Sequence, residues 1–418
     1  MMPERGATYY DRQEVRPPAD RERSVLHALP GLIRHALDNA PHLAGRLAGV
    51  DPDAVTSREA LARLPVLRKS DLPGLQREQP PFGGLNATPV RRLARIFASP
   101  GPIYDPEGVR GDYWRFARAM YAAGFRPGEI VHNTFSYHLT PAGMMAEGGA
   151  RALGCPVVPG GTGQAELQLQ AIADIRPAAY VGTPSFLLIL LEKGRELGLD
   201  TSSITKALVS GEAFPAGTRD RLVGEFGIEA YQCYATADLG LIAYESAARE
   251  GLIADESLIL EIVRPGTGDP VPDGEVGEVV VTAFNPDYPL IRFATGDLSA
   301  VLPGESPCGR TNLRIKGWMG RADQTTKVRG MFVHPGQVQD AVRRHAPTVG
   351  RARLVVGGSA GRDEMRLLCE VEGDHAGLAE ALADTVRGLT GLRAEVELVA
   401  PGSLPNDGKV IDDQRARP

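Results

Sequence analysis

Between about residues 90 and 230 the chain alternates short apolar runs with longer stretches of helical spacing, and no other feature of the sequence restricts the fold as much. Strand-like runs fall at 95–97, 130–134, 157–158, 179–181 and 206–209, and helical stretches at 112–123, 142–153, 165–175 and 185–198. A strand, a crossover helix and a further strand make the rhythm of mostly parallel sheets covered by helices. Between 258 and 302 the segments LILEIVRP, PDGEVGEVVVTAF and PLIRFATGDLSAVL combine β-branched residues with DG and EG pairs, which predicts antiparallel hairpins. After the glycine-rich stretch 317–320 the style changes again, to strands at 352–356, 364–371 and 393–399 around a helix at 376–389. The predicted class is α/β: a large N-terminal domain, 1–320, of layered helices and mixed sheets with a β-rich subdomain, then a small α+β C-terminal domain, 321–418. Near the start, 23–48 has helical apolar spacing cut by Pro30 and Pro41, which predicts short packed helices.

A chain of 418 residues exceeds the size at which a single hydrophobic core stops growing, so two domains are expected on length as well. The formal net charge of −6 argues against nucleic acid as the main partner, because phosphate backbones demand a basic surface. Residues 1–15 are polar and charged, with no apolar run for a leader or membrane span, so the expected location is cytoplasmic. Cys155, Cys233, Cys308 and Cys369 lie far apart without a CxxC pair and read as core residues, not as a disulfide framework or zinc ribbon. Lysine occurs only at 69, 193, 206, 316, 327 and 409, so a lysine in a suggestive context is more informative here than an arginine.

Three segments carry chemistry. In RFATGD (292–297) a strand ending in a glycine turn presents Asp297, an acceptor suited to the two hydroxyls of a ribose. In SGEAF (210–214) a strand again ends at glycine, beside Gly211 and Glu212. In YQCYATADLG (231–240) an aromatic-rich strand end is followed by a polar turn: Tyr234 can stack on a purine, Ala235 and Thr236 follow it, and Asp238 can face a metal ion.

The order of these segments, with Arg321, Asp323 and a glycine–lysine turn at 408–409, resembles the adenylate-forming acyl-CoA synthetase superfamily, and within it the phenylacetate-CoA ligase branch. The resemblance runs from LPVLRKSDL (64–72) to SLPNDGKVIDDQR (403–415). It is most specific in PVVPGGTGQAELQLQAIADIRPAAYVGTPSFLL (156–188), in 261–298 and in GRADQTTKVRGMFVHPGQV (320–338). It implies ATP, Mg2+ and CoA as cofactors and a small carboxylic acid as substrate. Tyr234 would sit by the adenine, Asp238 by the magnesium ion and Asp297 on the ribose diol, with Arg321 on the nucleotide. Asp323 would be the hinge of a rotating C-terminal domain, Gly330 would lie along the pantetheine arm, and Lys409 would be the lysine of adenylate formation. A cation on a mobile lobe can stabilise charge built up at the α-phosphate and then withdraw.

Two departures stand out. Where the family carries a Ser, Thr and Gly phosphate loop ending in Lys-Pro, this chain reads FASPGPIYDPEG (97–108), keeping Ser99 and Gly101 but adding Pro100 and Pro102, neither of which has an N–H to donate. The expected consequence is a weaker or differently arranged grip on pyrophosphate. Asp238 stands where glutamate is usual, which favours metal contact through a water. SPCGRT (306–311) keeps only Cys308 of a cysteine cluster found in some relatives, so no zinc is expected. Phe135, Tyr137 and His138 in FSYHLTPAGMM (135–145), with TPSFLL (183–188), fall where the branch frames an aromatic acid. The expected activity is AMP-forming ligation of an acid to CoA. Delivery to an amine or a carrier-protein thiol, and nucleotide binding without catalysis, remain open at this stage, as does a homodimer.

Overall fold

The computed structural model describes the chain except residues 1–7, 100–101, 325, 330, 347, 360–361, 374, 406–408 and 416–418, with backbone alone at 323, 327, 332, 359 and 362. It divides into two compact units, Met1–Thr295 with Ala300–Gly317, and Gly296–Ser299 with Trp318–Pro418.

The first unit is built on a nine-stranded sheet. Five of its strands run parallel in the spatial order Val157–Pro159, Val131–Asn133, Ala179–Gly182, Lys206–Val209 and Glu229–Thr236. Numbered along the chain, the order is 2-1-3-4-5, a doubly wound topology. Its switch point, between Val131–Asn133 and Ala179–Gly182, is where such sheets open a crevice at their carboxyl ends. The crossovers are the helices Ala142–Ala152, Ala165–Ile175, Pro184–Leu197 and Ala216–Phe226. The central strand Ala179–Gly182 is apolar along its length because helices cover both faces; Ala179, Tyr180 and Val181 are all fully buried. Beyond Glu229–Thr236 the sheet turns antiparallel through Gly240–Glu245, with a register shift between Tyr234 and Ala235. A second sheet pairs Leu258–Val263 with Gly277–Ala283 as the expected antiparallel hairpin.

Three sequence expectations need correction. Pro30 does not break the lead-in: one helix, Pro18–Asn39, runs through it. Leu29, Ile33 and Ala36 are fully buried along it. Each large apolar side chain so buried contributes about 1.5–3 kcal/mol, and together they outweigh the roughly 3 kcal/mol an internal proline costs. The helix expected at 112–123 begins only at Phe116, because Asp112 and Arg115 adopt left-handed backbone (φ 46° and 65°); the Asp112 carboxylate caps it by accepting from the Ala117 N–H at 3.1 Å. The segment read as a phosphate loop is largely a β-hairpin, Arg95–Ser99 against Ile103–Glu107.

The second unit is α+β. Its four-stranded sheet has the order Glu395–Val399, Arg362–Val371, Val349–Ser359, Ile411–Asp413. Helices Pro335–Arg344 and Leu378–Thr390 pack on it through Val338, Ala341, Leu382 and Val386. Among the described residues no helix is long and apolar enough to cross a membrane.

Candidate active site

In the first unit the antiparallel turn after Glu229–Thr236 brings Asp238 into the interior, 3% exposed. Thr236 fixes that turn, its hydroxyl accepting from the Leu239 N–H at 3.2 Å. Lys69 reaches Asp238 Oδ2 with its Nζ at 2.7 Å, across 169 residues of sequence. Asp105, on the second strand of the hairpin, is fully buried and lies within hydrogen-bonding reach of Asp238. Ser99, paired with Ile103 at the hairpin end, donates its hydroxyl to Asp105 Oδ2 at 2.9 Å. Burial first, and the Asp238 charge second, hold the Asp105 carboxyl well above the usual carboxylate range, against the Ser99 bond and the Lys69 charge. Tyr288, fully buried, has its hydroxyl pushed well up by burial and then by the charges of the same two aspartates. Among the described residues Asp105 Oδ1 and Asp238 Oδ1 accept from no other donor group, which leaves a proton held between the two carboxyls as the bond that joins them, and Gln76 bonds to the Tyr288 hydroxyl. The Asp238 carboxylate supplies the oxygen-donor chemistry that a hard cation such as Mg2+ takes.

Tyr234, on the same strand one register shift before the turn, donates its hydroxyl to Thr295 Oγ1 at 3.1 Å, and Thr295 in turn donates to the Val279 carbonyl at 3.1 Å. Ala235 pairs with Leu241 just past the shift. The strand thereby bends at the residues the sequence singles out, as bulges beside functional sites do.

At the switch point Thr134 donates to the Tyr180 hydroxyl at 2.7 Å, which donates to the Thr183 carbonyl at 3.0 Å. Only glycine fits at 182: a Cβ would sit 1.9 Å from Thr134 Oγ1. Phe135 follows, 8% exposed, and a Cβ at Gly211 would lie 3.7 Å from both the Phe135 ring and the Thr183 methyl. Phe135, Gly211 and Thr183 therefore converge. Tyr137 accepts from Asn133 Nδ2 at 2.7 Å, and burial, then Glu147, raises its hydroxyl pKa. His138 is exposed and lies away from this convergence in burial. Glu212 accepts from the Ser185 N–H at 2.7 Å and so caps the helix Pro184–Leu197.

In the second unit Asp297 differs from expectation. Its strand does not end at glycine but continues as Phe293–Ser299, with Gly296 at φ 77° and Asp297 bridged to the Arg321 backbone. Asp297 Oδ1 accepts from Arg321 Nη1 and from Trp318 Nε1, each at 3.2 Å. Asp323 lies in the 3-10 turn Ala322–Gln324, and Gln324 accepts at its Oε1 from the Val410 N–H at 2.8 Å. Lys409, next to that bond, is exposed, its Nζ 3.5 Å from Asp412 Oδ1. Gly101 and Gly330 lie outside the described residues, as does Gly408.

Sequence reasoning missed Lys69, Asp105, Tyr288 and Trp318. Two signals were present: Lys69 is one of six lysines, and Asp-Pro at 105–106 occupies the place where the resembling loops end in Lys-Pro.

This doubly wound sheet with a small α+β unit is the architecture of adenylate-forming enzymes. The AMP-binding enzyme family matches residues 114–284. A phenylacetate-coenzyme A ligase of Thermus thermophilus is 32% identical over 413 residues, covering 90% of this chain and 92% of the relative. That of Escherichia coli is 30% identical over 403 residues, covering 90% of each. An open conformation of 2-hydroxyisobutyryl-CoA ligase, solved with 2-HIB-AMP and CoA, matches 99% of this chain and 96% of its own at 28% identity and a TM-score of 0.86. The chain belongs to the phenylacetate-coenzyme A ligase family of AMP-forming acid–CoA ligases. These enzymes pass through an acyl-adenylate and use ATP, Mg2+ and CoA.

Proposed function

We propose that this protein is a cytoplasmic ligase that activates a small aromatic carboxylic acid as its adenylate and transfers the acyl group to CoA. The observation that carries the aromatic reading is the convergence of the Phe135 ring, Gly211 and the Thr183 methyl at the sheet's switch point, where such sheets take their ligands and where an aromatic side chain suits a ring. Its likeness to phenylacetate-CoA ligases along 90% of the chain supports the same choice.

In the first half-reaction a carboxylate oxygen bonds to the α-phosphorus and the bond from that phosphorus to the bridging oxygen breaks, releasing pyrophosphate. Mg2+, faced by Asp238, neutralises phosphate charge when bound. Tyr234 flanks the adenine, with Gly211, Glu212, Ala235 and Thr236 around it, while Ser99 and Gly101 border the phosphates. Asp297 and Arg321 take the ribose and nucleotide. Lys409, from the domain 321–418, offsets the charge that builds on the α-phosphate oxygens. In the second half-reaction the CoA sulfur, its proton lost to solvent, bonds to the acyl carbon and AMP leaves with the electron pair. Gly330 borders the pantetheine arm, and Asp323 is the hinge on which the domain turns between the two steps.

The test is acid-dependent pyrophosphate release across a panel of aryl, arylacetic and short aliphatic acids, with and without CoA. Release with aromatic acids, followed by a CoA thioester, supports the reading; preference for an aliphatic acid overturns the aromatic assignment. One observation favours a second reading, nucleotide binding without adenylation: the segment 97–108 holds no lysine to face phosphate, and its Asp105 is a buried carboxylate. AMP binding in calorimetry, with no pyrophosphate release from any acid, would select it.

A further inference from the structure

In the second unit the strands Thr326–Val328 and Met331–Val333 form a hairpin that closes tightly, Val328 pairing with Met331. So short a connection favours positive φ at its first residue, a place that glycine, asparagine and aspartate normally take. Here it falls to Arg329, whose φ is 46°. Among the described residues of the second unit no other non-glycine residue adopts left-handed backbone. A Cβ strains such backbone, and the strain persists only where surrounding bonds over-determine the conformation. Asp363 supplies those bonds. Its Oδ2 accepts from the Arg329 N–H at 2.8 Å, across 34 residues of sequence. Its carbonyl accepts from Arg329 Nε at 3.0 Å and from Nη2 at 2.7 Å. The carboxylate is fixed from its other side as well. Arg415 Nη1 donates to Asp363 Oδ1 at 2.8 Å, and Nη2 of the same guanidinium donates to Thr326 Oγ1 at 2.7 Å, at the base of the hairpin. The Arg329 N–H first, and the Arg415 guanidinium second, hold the Asp363 carboxyl below the usual carboxylate range. The hairpin end braced in this way presents Arg329 and Met331 to solvent.

We propose that Asp363 is a positioning residue for thioester formation: by bonding Arg329 it fixes the hairpin end along which the pantetheine arm passes, and it leaves adenylate formation untouched. This rests on the reading that Gly330, next to Arg329, borders that arm. A strained conformation held by three bonds from one residue is what a segment needs if it is to offer a flexible arm a single path, since precise positioning of the attacking group is itself a large part of rate. Lys409 stands outside the brace. Its ammonium lies 3.5 Å from Asp412, and the Val410 N–H beside it bonds to Gln324. Without Asp363, Arg415 still bonds both oxygens of Asp413, so the strand Ile411–Asp413 that follows Lys409 stays anchored.

The test compares the two half-reactions in Asp363→Ala. ATP–pyrophosphate exchange is measured with phenylacetic acid, and thioester formation with synthetic phenylacetyl-adenylate and CoA. Thioester formation should fall by about tenfold, the scale of losing bonds to a charged group, with a raised KM for CoA and exchange unchanged. Adding Arg329→Gly to Asp363→Ala should recover most of that loss, because glycine takes positive φ without strain. Equal loss in both half-reactions by a folded variant, or loss in neither, overturns the proposal, as does a double variant no better than Asp363→Ala. Should Asp363→Ala not fold, Arg329→Val takes its place: a β-branched residue at this exposed position resists positive φ. A thioester rate equal to that of the wild type, or fallen no further than exchange, then overturns it. A wild type that makes no phenylacetyl-CoA from the adenylate brings down the ligase reading and this one together, whereas an active wild type with an equally active Asp363→Ala brings down this one alone.

Discussion

Lys69 and Lys409 are the two lysines of the candidate machinery, and their surroundings are opposite. Lys69 is 23% exposed and holds a fully buried carboxylate at 2.7 Å, on a segment tied to the strand Phe293–Ser299 by parallel pairing. Lys409 is 55% exposed and its ion pair is a loose 3.5 Å contact three residues away. A cation in the first setting is part of the folded core, because removing it strands a buried charge. A cation in the second contributes little to stability, since exposed pairs are worth about 0–1 kcal/mol. It can therefore be carried to and from a reacting phosphate without unfolding anything. The difference makes Lys69 a preorganised cation and is compatible with the delivery proposed for Lys409.

The largest expected effect tests delivery. Lys409→Ala should lower acid-dependent ATP–pyrophosphate exchange by at least about 10²–10³-fold, the scale of losing a charge-stabilising group, with the melting temperature unchanged. Thioester formation from supplied acyl-adenylate should largely survive; equal loss in both half-reactions breaks the contrast. Next comes Asp297→Asn, whose loss of charge-assisted bonds at about 1.5–3 kcal/mol should weaken ATP binding in calorimetry by roughly ten- to hundred-fold. Unchanged affinity in a folded variant removes Asp297 from the ribose.

Lys69→Met tests preorganisation. Breaking a buried pair costs about 3–5 kcal/mol; with 23% of Lys69 open to solvent the discounted expectation is about 2 kcal/mol, read as a lower urea midpoint. A variant as stable as the wild type would make Lys69 no more structural than Lys409. The smallest effect belongs to Glu212→Ala. Its carboxylate caps a helix at the Ser185 N–H, so stability should fall by about 1 kcal/mol. Loss of ATP affinity beyond the fall in stability would support its proposed place beside the adenine, and unchanged affinity would leave Glu212 a cap alone.

The layered fold was legible because strand and helix periods are local. The helix Ala165–Ile175 and the strand Lys206–Val209 fall on the residues that periodicity indicates. Pro30 misled for the same reason: a local penalty is visible in sequence, whereas the core that outweighs it is not. Asp105 was hidden in a segment read only for missing loop residues; whether its carboxylate points inward depends on the hairpin register that pairs it with Phe97. His132 shows the same limit. It is buried with its Nε2 2.7 Å from Gln168 Oε1, and burial lowers its pKa, a partnership that its neighbours in sequence do not announce.

The sequence by itself determined the α/β class, the alternation of strands and crossover helices and, through its ordered motifs, the family. Those follow from periodicities and spacings a few residues long, which the chain carries wherever it goes. Only the tertiary structure decided that Lys69 meets Asp238 across 169 residues, that Trp318 and Arg321 share one oxygen of Asp297, and that Asp105 faces the same interior as Asp238. Such meetings depend on sheet order and on which face of a hairpin is buried, and both are set by packing of the whole unit and not by any local stretch of chain.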